Sequence, residues 1–317
     1  MDQQPTASRP EPAEKIPQTS SKMQTFWRRL FSSVILWSMV IGALFTEKLF
    51  SDTIFIGVML LIAGFALEEF YELCEKRNLV TFKIWGMLAA CGMLLSTWVY
   101  LSGYFVGTRS PAQANSFESG ILIIFVLGLC VRQFLSKSNT MGLIAISTTL
   151  FGLMYVPWLL NFFQKINYYP FANPKSGHFY LLYFIAITKF SDLGAYAVGS
   201  LIGKHKMIPR ISPGKTWEGF GGAIFTSTLL SVLFVRYAGN YLQGLTYFHA
   251  VVLGVILSAA AVIGDLIESL FKREAGVKDS GRFFPGIGGM LDLMDSLLFN
   301  APLMYLYIRH ILARYPS

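Results

Sequence analysis

Long apolar runs alternate with short polar segments along most of this chain, and each run is continuously apolar. A helix needs about 20 mostly apolar residues to cross a bilayer. The runs that approach this length predict nine transmembrane helices, at 30–46, 53–70, 84–101, 120–135, 141–161, 178–203, 218–236, 247–271 and 288–308. Strands of a membrane β-barrel would alternate in polarity instead. The pattern therefore favours an all-α, polytopic integral membrane protein with about nine spans.

The beginning of the chain is different, because residues 1–25 are polar and rich in proline, which predicts a disordered tail. The apolar run after Arg28 and Arg29 fits an uncleaved first helix or a signal peptide. The long preceding tail and the absence of a small-x-small cleavage site favour the helix. The second run ends in EEFYELCEKR, so an interfacial helix is an alternative there. We expect N-terminal membrane helices in 26–170 and a C-terminal membrane catalytic domain in 171–317.

Composition supports the membrane prediction, since 54% of the residues are hydrophobic and only 14% are charged. Soluble domains average about 25% charged residues. The net charge of +8 raises the possibility of nucleic-acid binding. However, the basic residues lie in short gaps between apolar runs, as in cytoplasmic membrane loops, and not on one water-soluble face. We therefore expect no nucleic-acid partner.

The distribution of Lys and Arg predicts the orientation of the chain. If the nine runs alternate across the membrane, 18 of the 26 Lys and Arg residues fall on the side of the N-terminal tail and 7 fall on the other side. The side with more Lys and Arg is normally cytoplasmic. The N-terminus and the loops at 204–217 and 272–287 are therefore expected in the cytoplasm, and an inner (plasma) membrane location follows.

Ionisable residues interrupt the C-terminal runs, where each charge at the bilayer centre costs about 2.5–3.5 kcal/mol. They are Lys189, Asp192, Asp265, Glu268, Asp292 and Asp295. The last two acidic pairs each have a spacing of three residues, which places both members on one helix face. Carboxylates that face one another repel unless a cation lies between them, and Mg²⁺ prefers oxygen ligands. The alternative is salt bridging with Lys189, Lys272 or Arg273.

Two cytoplasmic loops supply positive charge beside these carboxylates. The loop GKHKMIPRISPGKTWEGFGG contains Ser212 and Lys215 and leads into the next helix, where backbone N–H groups favour phosphate. The second loop, KREAGVKDSGRFFPGIGG, contributes Lys272, Arg273, Lys278 and Arg282 beside Asp279, and its glycines allow close backbone approach to a ligand. Basic loops near membranes also bind anionic lipids or set topology. Together with the carboxylates, they indicate phosphoryl or nucleotidyl transfer.

The segment SLFKREAGVKDSGRFFPGIGGMLDLMD, 269–295, resembles the signature of the phosphatidate cytidylyltransferase (CDP-diglyceride synthase) family. The residues in register are Ser269, Lys272, Arg273, Lys278, Asp279, Pro285, Gly288, Gly289, Asp292 and Asp295. The segments SDLGAY, ISPGKTWEG and GDLIESLFKR resemble the family too, so the resemblance covers about 180–300. Two positions depart from it: Ile287 stands where the family has His, and Leu293 where it has Arg.

The resemblance implies that CTP and phosphatidic acid react to give CDP-diacylglycerol and pyrophosphate. It implies Mg²⁺, a monovalent cation such as K⁺ at a second position, and a homodimer. Asp265, Asp292 and Asp295 would hold the metal, and Asp279 with Lys278 would lie close to the nucleotide or the second cation. The phosphates and the substrate would be contacted by Ser212, Lys215, Lys272, Arg273, Arg282, Gly288 and Gly289.

Two other functions are compatible with intramembrane charges. An ion-coupled transporter also carries them, but its functional residues should be accessible from both sides of the membrane. Another lipid-headgroup transferase, such as a CDP-alcohol phosphotransferase, would need a different spacing of aspartates and glycines, which the sequence does not contain.

Overall fold

The computed structural model describes residues 48–103, 111–136, 141–281 and 288–312, together with Gly42. Helices dominate these ranges, which confirms the all-α prediction. The helices are α1 Lys48–Lys76, α2 Lys83–Ser102, α3 Pro111–Phe134, α4 Gly142–Leu153, α5 Leu159–Asn167, α6 Ser176–Ile202, α7 Trp217–Ala238, α8 Tyr247–Glu274 and α9 Met290–His310. The predicted tail at 1–25 and, apart from Gly42, the predicted span at 30–46 lie outside the described residues.

Seven helical segments in the described ranges are long and apolar enough to cross a membrane. They are α1, α2, α3, α4 joined to α5, α6, α7 and α8. A π-helical turn at Met154–Trp158, which contains Pro157, joins α4 to α5. Because Pro157 has no N–H to donate, the local change of helix type accommodates it. The chain is thus a multi-pass membrane protein, whereas the division at residue 170 stays a prediction.

The final helix, α9, differs from these segments because polar residues interrupt its apolar sequence, and it is not among the seven. It packs against α1, α5, α6 and α8. Asn300 on α9 donates hydrogen bonds to Thr188 Oγ1 on α6 (3.0 Å) and to the Leu257 carbonyl on α8 (2.9 Å). Polar side chains within membrane proteins usually face the interior of the bundle. The central position of α9 therefore explains its polar content.

A buried ion pair joins two helices of the N-terminal half. Lys165, which the charge count placed in a loop, is fully buried in α5, and its Nζ lies 2.6 Å from Glu118 Oε2 on α3. Asn161 donates to Glu118 Oε1 over 2.7 Å. Buried charges are tolerated when they are paired and hydrogen-bonded. This pair therefore connects α3 to α5 on the inside of the bundle.

Two short strands precede α7, where the sequence predicted only a loop. Strands β1 Lys206–Ile208 and β2 Ser212–Thr216 pair in an antiparallel hairpin. Its base is closed by Glu218 in the first turn of α7, whose Oε2 accepts hydrogen bonds from the backbone N–H groups of Lys204 (3.1 Å) and His205 (3.2 Å). Thr216 is the N-cap of α7 and accepts from the Gly219 N–H at 3.1 Å. The hairpin is therefore fixed to the beginning of α7.

Close packing of α6 on α7 depends on positions that have no side chain. A Cβ atom at Gly222 would lie 2.5 Å from the Val198 side chain, and one at Gly194 would lie 2.0 Å from Thr226 Oγ1. Small residues let membrane helices approach closely. Thr216 at the end of the hairpin also lies close to α6, since a Cβ atom at Gly199 would lie 3.1 Å from its Oγ1.

Gly222→Ala should lower the thermal midpoint of the purified protein in detergent, because the added methyl group overlaps Val198. Overpacking of this kind costs about 1–3 kcal/mol. Gly221→Ala is the matched control, since a Cβ there meets nothing within 4 Å. Alanine favours a helix over glycine, so the control should unfold at the wild-type temperature or above it. Equal midpoints for the two variants would contradict the packing argument.

Candidate functional site

Three carboxylates meet where α8 ends and α9 begins. Asp265 and Glu268 on α8 and Asp295 on α9 each offer an oxygen, and these oxygens lie within 4.8 Å of one another. We call these residues the acidic cluster. The helices approach closely at Gly264, where a Cβ atom would lie 2.9 Å from the Asp295 carbonyl oxygen. The convergence of the acidic faces of α8 and α9 is what the spacing predicted, although Glu268 was not among the predicted ligands.

Asp292, a predicted metal ligand, is not a member of the acidic cluster. Its Oδ1 lies 2.6 Å from Lys272 Nζ, and its Oδ2 accepts hydrogen bonds from the backbone N–H groups of Ser280 (3.1 Å) and Gly289 (2.8 Å). Lys272 also pairs with Glu268 Oε2. The salt-bridge alternative thus describes Asp292, and Lys272 connects it to the cluster. Metal binding by Asp292 stays a prediction.

Asp295 has a different environment from the other two members. Among the ion pairs of the described residues, none involves Asp295, whereas Lys215 and Lys272 contact Asp265 and Glu268. Asp295 is 7% exposed, and its Oδ1 accepts a hydrogen bond from the Ser296 N–H. Asp295 is therefore buried without a direct ion pair among the described residues.

The hairpin reaches the acidic cluster through Lys215. Its Nζ lies 2.7 Å from Asp265 Oδ2 and 3.2 Å from the Val262 carbonyl oxygen. A cavity of about 390 Å³ is lined here by Asp192, Ala195, Tyr196, Gly199, Ser200, Met207, Ser212, Gly214, Lys215, Thr216, Gly219, Phe220, Val262 and Asp265. Two predicted phosphate-binding residues, Ser212 and Lys215, thus share one cavity with Asp265. The nearby Lys204, Lys206 and Arg210 are exposed.

Lys189 and Asp192 connect α6 to α9. Lys189 Nζ donates to the Leu293 carbonyl over 2.7 Å and lies 3.6 Å from Asp192 Oδ2. Ser296 Oγ donates to the same oxygen of Asp192 over 3.1 Å. Leu293 stands where the family pattern has Arg. Its backbone carbonyl oxygen accepts the hydrogen bond from Lys189 of α6. These contacts orient the first turns of α9 relative to the cavity.

Other predicted residues lie elsewhere. Lys278 and Asp279 line a separate cavity of about 480 Å³ with Glu72 and Lys76 of α1. Arg273 donates to the carbonyl groups of Ile211 (3.2 Å) and Val277 (3.4 Å). Arg282 and Ile287 lie outside the described residues.

Gly288 and Gly289 lie directly before α9 and contact protein carboxylates. Gly288 has a φ of +117°, which favours glycine, and a Cβ there would lie 2.7 Å from Asp292 Oδ2. The N–H of Gly289 is already bonded to Asp292. The next two N–H groups, of Met290 and Leu291, are bonded to Glu69 on α1. Sequence reasoning missed Glu69 because it stands in a charged segment that resembles a helix end at the membrane surface.

The donors of the acidic cluster fit a divalent cation. All three are carboxylates, and oxygen is the ligand that Mg²⁺ and Ca²⁺ prefer. Among the described residues, nothing donates a hydrogen bond to the buried Glu268 Oε1. A buried acceptor without a donor is costly, and a cation between Glu268 and Asp295 would remove that cost.

Comparison with known proteins gives one consistent family. Residues 27–311 match the sequence model of the cytidylyltransferase family. The chain is 31% identical over 287 residues to a phosphatidate cytidylyltransferase of Haemophilus influenzae, covering 87% of this chain and 96% of the relative. It is 33% identical over 252 residues to the phosphatidate cytidylyltransferase of Staphylococcus aureus, covering 78% and 89%. It is also 36% identical over 162 residues to the uncharacterized protein YnbB of Escherichia coli, covering 51% of each chain.

Lys272→Met should destabilise the protein, because it leaves Glu268 and Asp292 buried without their shared cation. Removing one partner of a buried ion pair costs about 3–5 kcal/mol. Thermal unfolding in detergent measures the effect, and adding Glu268→Gln to the variant should recover part of the loss. The exposed Lys278 provides a control, since Lys278→Met is expected within about 0.5 kcal/mol of wild type. A wild-type midpoint for Lys272→Met would refute the bridging role.

Proposed function

Because this chain belongs to the cytidylyltransferase family, we propose that it makes CDP-diacylglycerol and pyrophosphate from CTP and phosphatidic acid. The observation that carries the proposal is the single cavity that joins Lys215 of the hairpin to Asp265 of the acidic cluster. Nucleotidyl transfer needs cations beside the phosphates and carboxylates that hold a metal. The names of the Haemophilus and Staphylococcus relatives support phosphatidate as the acceptor.

Access to the cavity suits a lipid substrate. Tyr196 lines the cavity and is 72% exposed, and Leu193 and Trp217 nearby are also exposed apolar side chains. In a membrane protein such a surface is suited to contact acyl chains. A phosphatidate headgroup therefore reaches Asp265 and Lys215 while its acyl chains stay in the bilayer, and CTP enters from water.

We assign a Mg²⁺ site to Asp265, Glu268 and Asp295. When bound, a divalent ion there neutralises charge on the reacting phosphates. Asp292 fixes Lys272 beside this site. The monovalent cation that the resemblance implies, such as K⁺, is assigned with Asp279 and Lys278 to the second cavity, beside Glu72 and Lys76.

The reaction is a direct displacement. An oxygen of the phosphatidate phosphate attacks the α-phosphorus of CTP, and the bond from that phosphorus to the oxygen bridging to the β-phosphate breaks, which releases pyrophosphate. A phosphate monoester is already anionic near neutral pH, so the chain needs no nucleophilic side chain. Its contribution is alignment and charge neutralisation. Lys215 and Ser212 line the cavity and would bind phosphate oxygens, and the pairing of Lys215 with Asp265 holds the ammonium group there.

Orientation and assembly complete the proposal. The excess of Lys and Arg on one side supports a cytoplasmic location of the N-terminus, the hairpin and the 272–287 loop, where CTP is available. We propose the inner membrane as the location and a homodimer as the assembly, as the resemblance implies.

Purified protein in detergent, given labelled CTP and phosphatidic acid, should form labelled CDP-diacylglycerol and pyrophosphate in Mg²⁺ and lose this activity in excess EDTA. The absence of CDP-lipid with Mg²⁺ present would refute the proposal. The ion-coupled transporter, which family membership does not favour, predicts ion-driven uptake into proteoliposomes and no product. A CDP-alcohol phosphotransferase would consume CDP-lipid instead of forming it.

Glu268→Gln should lower turnover by about 100-fold or more, because one carboxylate of the metal site is lost. The Mg²⁺ concentration that gives half-maximal activity should rise as well. Glu274→Gln is the matched control, since Glu274 lies on the same helix and is exposed. Its activity should stay within about twofold of wild type. Unchanged Mg²⁺ dependence in Glu268→Gln would remove Glu268 from the metal site.

A further inference from the structure

Glu69 of α1 lies at the beginning of α9, where it contacts Met290 and Leu291. These two residues are more than 200 positions away from Glu69 in the chain. Glu69 is 8% exposed. Oε1 accepts a hydrogen bond from the Met290 N–H (2.9 Å), and Oε2 accepts from the Leu291 N–H (2.8 Å) and from Ser280 Oγ (3.1 Å). The carboxylate thus binds one helix end and one loop residue at once.

The Glu69 carboxylate leaves no space for a side chain at the two neighbouring glycines, Gly281 and Gly289. A Cβ atom at Gly281 would lie 2.1 Å from Glu69 Oε1, and one at Gly289 would lie 2.3 Å from Oε2. Contacts this short do not occur with real side chains, so both positions need glycine while Glu69 is in place. The loop glycines and the carboxylate of α1 therefore form one close-fitting arrangement.

The chemistry at this position favours a carboxylate. The first N–H groups of a helix have no partner within the helix, and the helix dipole favours negative charge there. Glu69 satisfies the N–H groups of Met290 and Leu291, and Asp292 satisfies that of Gly289. Because protein carboxylates already accept hydrogen bonds from these three N–H groups, the N–H groups are not available to a substrate phosphate in this arrangement.

Contacts lead from Glu69 to the acidic cluster. Ser280 donates its hydroxyl to Glu69 and its N–H to Asp292, Asp292 contacts Lys272, and Lys272 contacts Glu268. Asp295 lies one turn further along the helix whose beginning Glu69 holds. We infer that Glu69 is a positioning residue for the reaction, which fixes α9 and Ser280 so that Asp292 and Asp295 face α8. This inference rests on the proposed function.

The test compares purified Glu69→Gln with wild type in the CTP and phosphatidate assay, well below the unfolding temperature. An amide keeps the size of the side chain, but its NH₂ group opposes the N–H donors. We expect kcat to fall about 10- to 100-fold, since small displacements of reacting groups have effects of this size. The KM for CTP should change less than about threefold, because Glu69 does not line the hairpin cavity. Hydrogen exchange at the Met290 and Leu291 amides should become faster.

Glu68→Gln is the matched control, because Glu68 is the neighbouring residue, is partly exposed and pairs with Lys83 at 3.3 Å. Its kcat should stay within about twofold of wild type. Glu69→Asp keeps the charge and should recover part of the activity. Ser280→Ala removes one hydrogen bond to Glu69 and should lower kcat by about fivefold, so it decides the question if Glu69→Gln does not fold.

Folded Glu69→Gln with wild-type kcat would overturn the inference, even if its thermal midpoint were lower, because the role would then be structural only. Wild-type kcat in Ser280→Ala alongside an unfolded Glu69→Gln would overturn it too. If wild type forms no CDP-lipid, the proposed reaction fails. The exchange measurement then still decides whether Glu69 holds the beginning of α9, since slow exchange in Glu69→Gln would refute that contact independently.

Discussion

Carboxylates inside a membrane protein each need a cation or a hydrogen-bond donor, because an unpaired charge away from water costs several kcal/mol. The junction of α8 and α9 meets this requirement unevenly. Asp292 has three donors, and Asp265 has Lys215. Asp295 has one backbone N–H, and Glu268 has an oxygen without a donor among the described residues. The carboxylates with the fewest hydrogen-bond donors, Glu268 and Asp295, lie where α8 and α9 face each other. A cation bound between them would compensate for the missing donors.

This constraint also explains why the two halves of the chain depend on each other. The motif residues lie in 171–317, yet the beginning of α9 is held by Glu69 from the N-terminal half. A loop rich in glycine has high conformational entropy, so glycines alone would not fix the direction of α9. A bidentate carboxylate from a long packed helix supplies that direction. A helix of the N-terminal half therefore contacts the beginning of α9 directly.

The sequence predicted what depends on local pattern and left out what depends on tertiary contacts. Continuous apolar runs predicted the helices, and the three-residue spacing within Asp265/Glu268 and within Asp292/Asp295 predicted one acidic face on each of two neighbouring helices. Spacing alone did not separate Asp292 from Asp295, because the difference arises from Lys272 on α8 and from backbone N–H groups of the segment between α8 and α9. The hairpin was missed because SPGKT contains Pro and Gly and has low strand propensity. Glu69 could have been found only by asking which residue satisfies the first N–H groups of α9.

The amino-acid order of α9 reconciles a charged site with a membrane helix. Both aspartates lie in its first two turns, at the end where α8 finishes, and the remainder of the helix is mostly apolar and buried. The carboxylates of α9 thus lie at one end of that helix, on the side of the hairpin and the apolar surface around Tyr196. A lipid phosphate and a water-soluble triphosphate can meet only at such a boundary, since neither can cross into the other's solvent. The placement of Asp292 and Asp295 near the beginning of α9, and not at its middle, is thus a consequence of the two substrates that the site is proposed to join.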